Sequence, residues 1–334
     1  MGNTPGGPVP VVVMGLGFIG QEVARAALAS PEVDLIGAVD PHPQLVDRKL
    51  ADLIGVTAAG RLRVAKDLPG ALGRTRGAVL LHATGSRLPL VSDQLLEAIR
   101  LGCHIVSSCE ELAFPHLKHD ELARKLERAA EKNGVTVLGT GVNPGFVLDR
   151  LVATLAQACG PVRHVRAERV VDARKRREAL QRKIGAGLTE AEFDDLVEKD
   201  QLGHVGLLES CALAALGCGI DCDDFEEEIT AVIAEEEIRG GAFVVKPGKV
   251  AGIHQMAVGL EDGQERIRLD LTIAMGAEAP GDRIVVDADP RIEMEIKGGV
   301  DGDRATANLL VNAAPRVAAA EPGLLTVLEL PAGR

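Results

Sequence analysis

A chain of 334 residues exceeds what one simple core accommodates and fits two domains. Apolar residues make up 46% of it and aromatics only 2%, so its interior has to be built from Val, Ile, Leu and Ala, as buried parallel sheets usually are. A formal net charge of −12 excludes nucleic acid as a partner, and no stretch approaches the roughly 18 uninterrupted apolar residues of a membrane-spanning helix.

The chain opens Met-Gly-Asn-Thr-Pro-Gly-Gly-Pro, which reads as a flexible leader, because no charged segment precedes an apolar one as in a secretory signal. A β-branched run at 9–14 predicts a strand that opens directly onto glycines. Residues 18–29 then have helical spacing at Ile19, Val23, Ala26 and Ala27, and Pro31 stops them. Strand signals recur at 35–39, 78–83, 103–107 and 135–138. Helical stretches at 89–101 and 116–133 alternate with them, the second ending on Gly134 as a C-cap. Strand, helix, strand repeated in this way predicts right-handed crossovers and a parallel, doubly wound sheet over residues 1–150.

Beyond residue 150 the texture changes. A helix at 147–159, a strand at 165–171 and a basic stretch at 174–183 lead to Thr189-Glu190-Ala191-Glu192, a capping box that starts a polar helix. A more apolar helix is expected over 204–216. From 225 to 297 strands dominate, with period-2 alternation at Ile267, Leu269, Leu271 and Ile273. Turns are expected at Pro247-Gly248, Asp262-Gly263 and Pro280-Gly281, and the glutamate triplets 226–228 and 235–237 read as exposed strand surface. The pattern predicts an α+β domain with an open, mostly antiparallel sheet over 151–302, serving substrate binding and dimerisation. An amphipathic helix at 305–319, within a segment 303–334, is expected to return to the first domain. The six cysteines form no CxxC and lack the companions of a zinc site, so they are read as reduced thiols of a cytoplasmic protein, and no metal site is expected.

The strongest chemical signal is Gly15-Leu16-Gly17-Phe18-Ile19-Gly20. It follows a predicted strand, opens a predicted helix, and has Asp40 twenty residues after Gly20 at the end of the second strand. In a Rossmann βαβ unit Gly15 permits the tight turn, Gly17 lets backbone N–H groups approach a pyrophosphate, and Gly20 lets helix and strand pack closely. A carboxylate at Asp40 accepts hydrogen bonds from both ribose hydroxyls of NAD but repels the 2′-phosphate of NADP. Two unit charges about 4 Å apart cost on the order of 4 kcal/mol at an effective dielectric of about 20. NAD is therefore expected to be preferred, with NADP tolerated because His42 and Arg48 lie just downstream.

Three more loops leave the carboxyl ends of predicted strands: Ala83-Thr84-Gly85-Ser86, Ser107-Ser108-Cys109-Glu110-Glu111-Leu112, and Thr140-Gly141-Val142-Asn143-Pro144-Gly145-Phe146. Thr84, Gly85, Ser86 and Ser108 join the candidate cofactor-binding set. The Glu110-Glu111 pair equally suits the first turn of a helix. Asn143 has donor and acceptor capacity for a nicotinamide carboxamide and Pro144 stiffens its loop, though Asn-Pro-Gly is also simply a good turn. Phe146 lines a substrate pocket or fills the core. His204 either reaches that pocket or packs and caps. Arg174 and Lys175 read as solvated, whereas Arg176, Arg177 or Arg182 suits a substrate carboxylate, Arg177 being the one carried forward.

These loops, with Gln181-Arg182-Lys183-Ile184-Gly185-Ala186-Gly187, the segment 203–210 and the segment 307–315, resemble the 2,4-diaminopentanoate dehydrogenases and the related native amine dehydrogenases, which share a dihydrodipicolinate-reductase-like fold. The resemblance spans both domains in order. It implies NAD(P)-dependent interconversion of a small ketone or aldehyde plus ammonia with a primary amine, and pairing of two copies. It also implies one acid/base glutamate, carried over to Glu110 first and Glu111 second. An amino-acid substrate such as 2,4-diaminopentanoate is the alternative within the group. A true dihydrodipicolinate reductase is disfavoured because neither a His-His pair nor a Lys followed by Ser-Gly-Thr-Ala occurs. A non-catalytic dinucleotide sensor is disfavoured by Glu110, Glu111 and Asn143.

Overall fold

Buried runs of Val, Ile and Leu become strands wherever helices cover both of their faces, and the N-terminal half of the chain is built this way. A computed structural model describes residues 7–241, 243–331 and 333; residues 1–6 of the expected leader lie outside them. In chain order the elements are β1 (Val9–Met14), α1 (Phe18–Ala29), β2 (Val33–Val39), α2 (Leu50–Ile54), β3 (Val64–Ala65), α3 (Leu68–Leu72), β4 (Val79–His82), α4 (Leu88–Arg100), β5 (His104–Ser107), α5 (Asp120–Asn133) and β6 (Thr136–Gly139). There follow α6 (Arg150–Ala156), β7 (His164–Asp172), α7 (Glu178–Lys183), α8 (Glu190–Glu198), α9 (Leu207–Cys218), β8 (Asp224–Ile233), β9 (Ile238–Gly240), β10 (Phe243–Val245), β11 (Val250–Glu261), β12 (Gln264–Ala274), β13 (Gly281–Asp287) and β14 (Ile292–Lys297). The chain closes with α10 (Gly302–Ala319) and β15 (Gly323–Leu325). Two compact units result: the residues up to Phe146 together with those from Asp301 onward, and Val147–Val300.

The first unit is a seven-stranded parallel sheet in the order β15-β6-β5-β4-β1-β2-β3. Val11, Val12 and Val13 of β1, Leu80 and Leu81 of β4 and Ile105 and Val106 of β5 are fully buried, so the apolar runs form the centre of the sheet. Helix α10 packs on α1, β4 and β5, and β15 extends the sheet beside β6. Gly134 caps α5 in the left-handed conformation, as its position at the end of the helical pattern predicts. That helix begins at Asp120; Pro115–Leu117 forms a separate 3-10 turn ahead of it.

The second unit holds a six-stranded sheet in the order β14-β13-β7-β12-β11-β8, antiparallel except between β7 and β12. Ile267, Leu269, Leu271 and Ile273 point to its buried face, where α9 packs on β11 and β12. The same face holds a buried ion pair, Arg169 Nη1 to Asp282 Oδ1 at 2.6 Å, whose remaining atoms grip Val300: its carbonyl accepts from Arg169 and its N–H donates to Asp282 Oδ2. The opposite face carries Arg166, Glu168, Arg268 and His254, with Asp270 4% exposed between Arg268 (3.0 Å), His254 (3.3 Å) and Arg166 (3.4 Å). Exposed glutamates at 226–228 and at 293 and 295 occupy the edge strands β8 and β14, where charge blunts edge-to-edge pairing. Glu235, Glu236 and Glu237 lie in the turn between β8 and β9, outside any strand. Two helices are shorter than their periodicity predicts. Asp149 caps α6 by accepting from Arg150 N–H, and Gly206, at φ +102°, sets the start of α9 at Leu207.

Candidate active site

From β1 the chain runs outward to β2 and β3 on one side of the sheet, and from β4 to β5 and β6 on the other. Doubly wound sheets bind ligands at such a reversal, outside the carboxyl ends of the strands. Because the strands are parallel, the loops after β1, β4, β5 and β6 all emerge at that edge.

In the first loop a Cβ on Gly20 would sit 1.6 Å from Gly15 O, so the turn and α1 approach as closely as bare backbone allows. A Cβ on Gly17 would meet nothing within 4 Å. Helix α1 starts from Gly17 without a side-chain cap and without an acidic residue in its first turn, which leaves its end suited to an anion. Phe18 is 46% exposed beside it and Ile19 half-buried. Asp40 is half-buried and pinned at both oxygens: Oδ2 accepts from Leu16 N–H at 2.8 Å and Oδ1 from His42 N–H at 2.9 Å. Each oxygen keeps a second lone pair, so the carboxylate is oriented for a diol. The His42 side chain is exposed and its Nδ1 accepts from Gln44 N–H. An open anion cradle beside a fixed carboxylate fits a dinucleotide, which the Gly15–Gly20 turn and Asp40 would hold.

The loops after β4 and β5 are hydrogen-bonded together. Ser86 O accepts from Cys109 Sγ at 3.3 Å and from Glu111 N–H at 3.3 Å. Burial, with help from Glu110 and Glu111, pushes the Cys109 thiol far above its usual range, so it stays protonated and unreactive. The two glutamates part company here. Glu111 is 3% exposed, and its Oε2 accepts from Leu88 N–H at 2.7 Å and lies 2.9 Å from His119 Nε2, with Arg87 at 3.4 Å from Oε1. Its carboxylate thus holds the N-terminus of α4. Glu110 is the half-buried first residue of the 3-10 turn Glu110–Ala113. A Cβ on Gly139 would lie 2.4 Å from the Leu112 carbonyl carbon, so only glycine at the end of β6 lets that turn pass. Thr84 and Gly85 are exposed and Ser108 half-buried.

After β6, Asn143 is 7% exposed, the Asn143–Pro144 peptide is cis, and Val142 N–H donates to Thr306 Oγ1 of α10 at 3.1 Å. Phe146 is half-buried at the end of this unit. Arg177 and His204 belong to the second unit. Arg176 and Arg177 are half-buried ahead of α7, whereas Arg174 pairs with Asp172 and exposed Arg182 pairs with Glu178 and lies 5.4 Å over the Phe243 ring. The backbone of His204 is clamped by fully buried Gln255, whose Oε1 accepts from His204 N–H and whose Nε2 donates to His204 O, each at 2.8 Å.

Two polar residues with site-shaping contacts escaped the sequence reading. Gln255 is one; its only signal is an amide inside the largely apolar run of β11. His82 is the other, fully buried at the end of β4 and bonded to Ser107, Thr84 and Gln94.

Comparison with known proteins places the whole chain in one group. The family model for the 2,4-diaminopentanoate dehydrogenase C-terminal domain matches residues 146–334. The chain is 29% identical over 333 residues to the 2,4-diaminopentanoate dehydrogenase of Acetoanaerobium sticklandii, covering 98% of this chain and 94% of that one. It is 22% identical over 350 residues to an amine dehydrogenase of Streptomyces virginiae, covering 97% and 96%. Its fold matches the solved amine dehydrogenase of Mycobacterium smegmatis with a TM-score of 0.85 at 24% identity, over 99% of this chain and 98% of that one.

Proposed function

The chain belongs to the 2,4-diaminopentanoate dehydrogenase family and is an NAD(P)-dependent oxidoreductase of the amine dehydrogenase type; from that premise we propose that it interconverts a small ketone or aldehyde plus ammonia with a primary amine, using Glu110 as acid/base. The observation that carries the proposal is the placement, at one edge of the sheet, of an open glycine turn with a pinned Asp40 and a loop bearing Glu110.

In the amination direction ammonium has to lose a proton before its nitrogen attacks the carbonyl, and the carbinolamine then has to lose water. A carboxylate at Glu110 takes the first proton, delivers one to the departing hydroxyl, and offsets the charge of the resulting iminium. When bound, the reduced nicotinamide supplies the hydride for the iminium carbon. Glu111 serves this chemistry at one remove, since its oxygens are committed to α4, His119 and Arg87. Asn143 orients the nicotinamide through its carboxamide, and Thr84, Gly85, Ser86 and Ser108 border the same place.

The test is absorbance at 340 nm: the parent reduces NAD+ with a primary amine and oxidises NADH with ammonia and a small carbonyl. Glu110→Ala should lose at least about a thousandfold in kcat with NADH still bound, a loss on the scale seen when proton transfer and charge stabilisation both go. Near-parental turnover in Glu110→Ala sinks the assignment. Asp40 favours NAD, so the Kd for NAD+ should lie below that for NADP+; the reverse order defeats this point. Half-buried Arg176 and Arg177 support a second reading, an amino-acid substrate whose carboxylate they anchor. A panel of amines with and without an α-carboxylate separates the two. We further place the protein in the cytoplasm, on its six free thiols, as a homodimer paired through the charged open face of the second sheet. Sedimentation as a monomer at micromolar concentration rules that pairing out.

A further inference from the structure

His82 closes β4 with its ring sealed from solvent, and three segments meet on it. Nδ1 lies 2.7 Å from Ser107 Oγ at the end of β5. Nε2 lies 2.7 Å from Thr84 Oγ1 and 2.9 Å from Gln94 Oε1 of α4. Counting hydrogens fixes the tautomer. The Thr84 hydroxyl has one proton and donates it to Gln94 Oε1 at 2.7 Å, so Thr84 Oγ1 accepts from the ring and the ring proton is on Nε2. Nδ1 is then an acceptor for the Ser107 O–H, and Ser107 Oγ accepts in turn from Cys109 N–H at 3.0 Å. A second ring proton would leave the Ser107 hydroxyl without its acceptor. Burial, opposed by the Gln94 hydrogen bond, brings the His82 pKa down to about 4, and the ring stays neutral at ordinary pH. It is therefore unsuited to exchanging protons itself.

We infer that His82 is a positioning residue: its ring locks the loop after β4, which carries Thr84, to the loop after β5, which carries Glu110, so that both act as one rigid piece. The chain of contacts runs from Thr84 through the ring and Ser107 to the Cys109 amide, one peptide bond short of Glu110. The bonds from Ser86 O to Cys109 and Glu111 close the same two loops a second time, farther out. A carboxylate that exchanges protons needs placement to a fraction of an ångström, and a shift of about 1 Å can cost up to roughly a hundredfold in rate. This inference rests on the reading of Glu110 as acid/base. The competing account is a core histidine that only packs.

Double-mutant kinetics distinguish them. His82→Gln keeps an amide near the Thr84 and Gln94 side and gives up the Ser107 bond; Ser107→Ala breaks the same bond with little change in volume. Each should lower kcat about tenfold in the parent background. The Kd for NADH should move by less than about threefold, because the glycine turn is untouched. In a Glu110→Ala background each should change the residual rate by less than about twofold, since no carboxylate remains to be placed. Equal losses in both backgrounds, or parental kcat in Ser107→Ala, overturn the inference while leaving Glu110 in its role. Parental turnover in Glu110→Ala alone overturns the acid/base reading and this inference with it.

Discussion

Gly17 and Gly20 stand three residues apart in one turn and answer to different constraints. Gly20 has no room for a Cβ because the Gly15 carbonyl is 1.6 Å away, so Gly20→Ala should disrupt the turn and lower Tm. Gly17 has open space and an extended backbone that any residue adopts. Gly17→Ala should therefore hold Tm within about 2 °C, as harmless surface changes do, yet weaken NAD+ binding at least about tenfold by filling the anion cradle. Tight NAD+ binding by Gly17→Ala, measured by calorimetry, contradicts the cradle. The close approach of Gly20 to Gly15 and the Asp40 beside that turn were legible in the sequence as geometry, because these residues stand at fixed short spacings. His82 was not, because its partners Ser107, Gln94 and Thr84 come from three different segments and no spacing marks them. Glu111 was legible as an acid beside a helix start, but the helix it serves begins 23 residues earlier, at Leu88.

That contact gives α4 an unusual N-terminus. Arg87 at its cap position offers no side-chain acceptor and Pro89 has no N–H to satisfy, so the orphan donor is Leu88 N–H, which takes a carboxylate borrowed from the next loop. Glu111→Ala removes a buried hydrogen-bond partner of Leu88 and His119 and the counter-charge for Arg87 together. It should cost about 2–4 kcal/mol of stability in denaturant melts. Turnover per folded molecule should survive far better than in Glu110→Ala; equal collapse of both variants, with stability intact in each, is the outcome against this division of labour. Most elements could be read from periodicity and punctuation: β1, α1, the capping box of α8 and the alternation in β12 all appear as expected. The strands β3 and β15, of two and three residues, are too short to carry a period and are strands only because the sheet is there to receive them. Apolar spacing puts the start of α9 three residues early, because the pattern continues through Gly206, whose left-handed backbone no helix accommodates.

At the scale of the molecule, a doubly wound parallel unit and a mostly antiparallel unit were both foreseeable from the change of texture near residue 150. What composition could not give is which side chains of the second unit end up buried in pairs: Arg169 and Asp282 lie 113 residues apart and look like ordinary strand charges until the register joins them. The first unit is also discontinuous. Its sheet lacks β15, and α1, β4 and β5 lack their α10 cover, until the residues beyond Asp301 are in place. Synthesis runs in one direction, so Val147–Val300 leaves the ribosome before the residues from Asp301 onward that complete the first unit. The 154-residue span from Val147 to Val300 can settle as it emerges, while the glycine turn that opens α1 waits for a hydrophobic cover translated only after that whole unit.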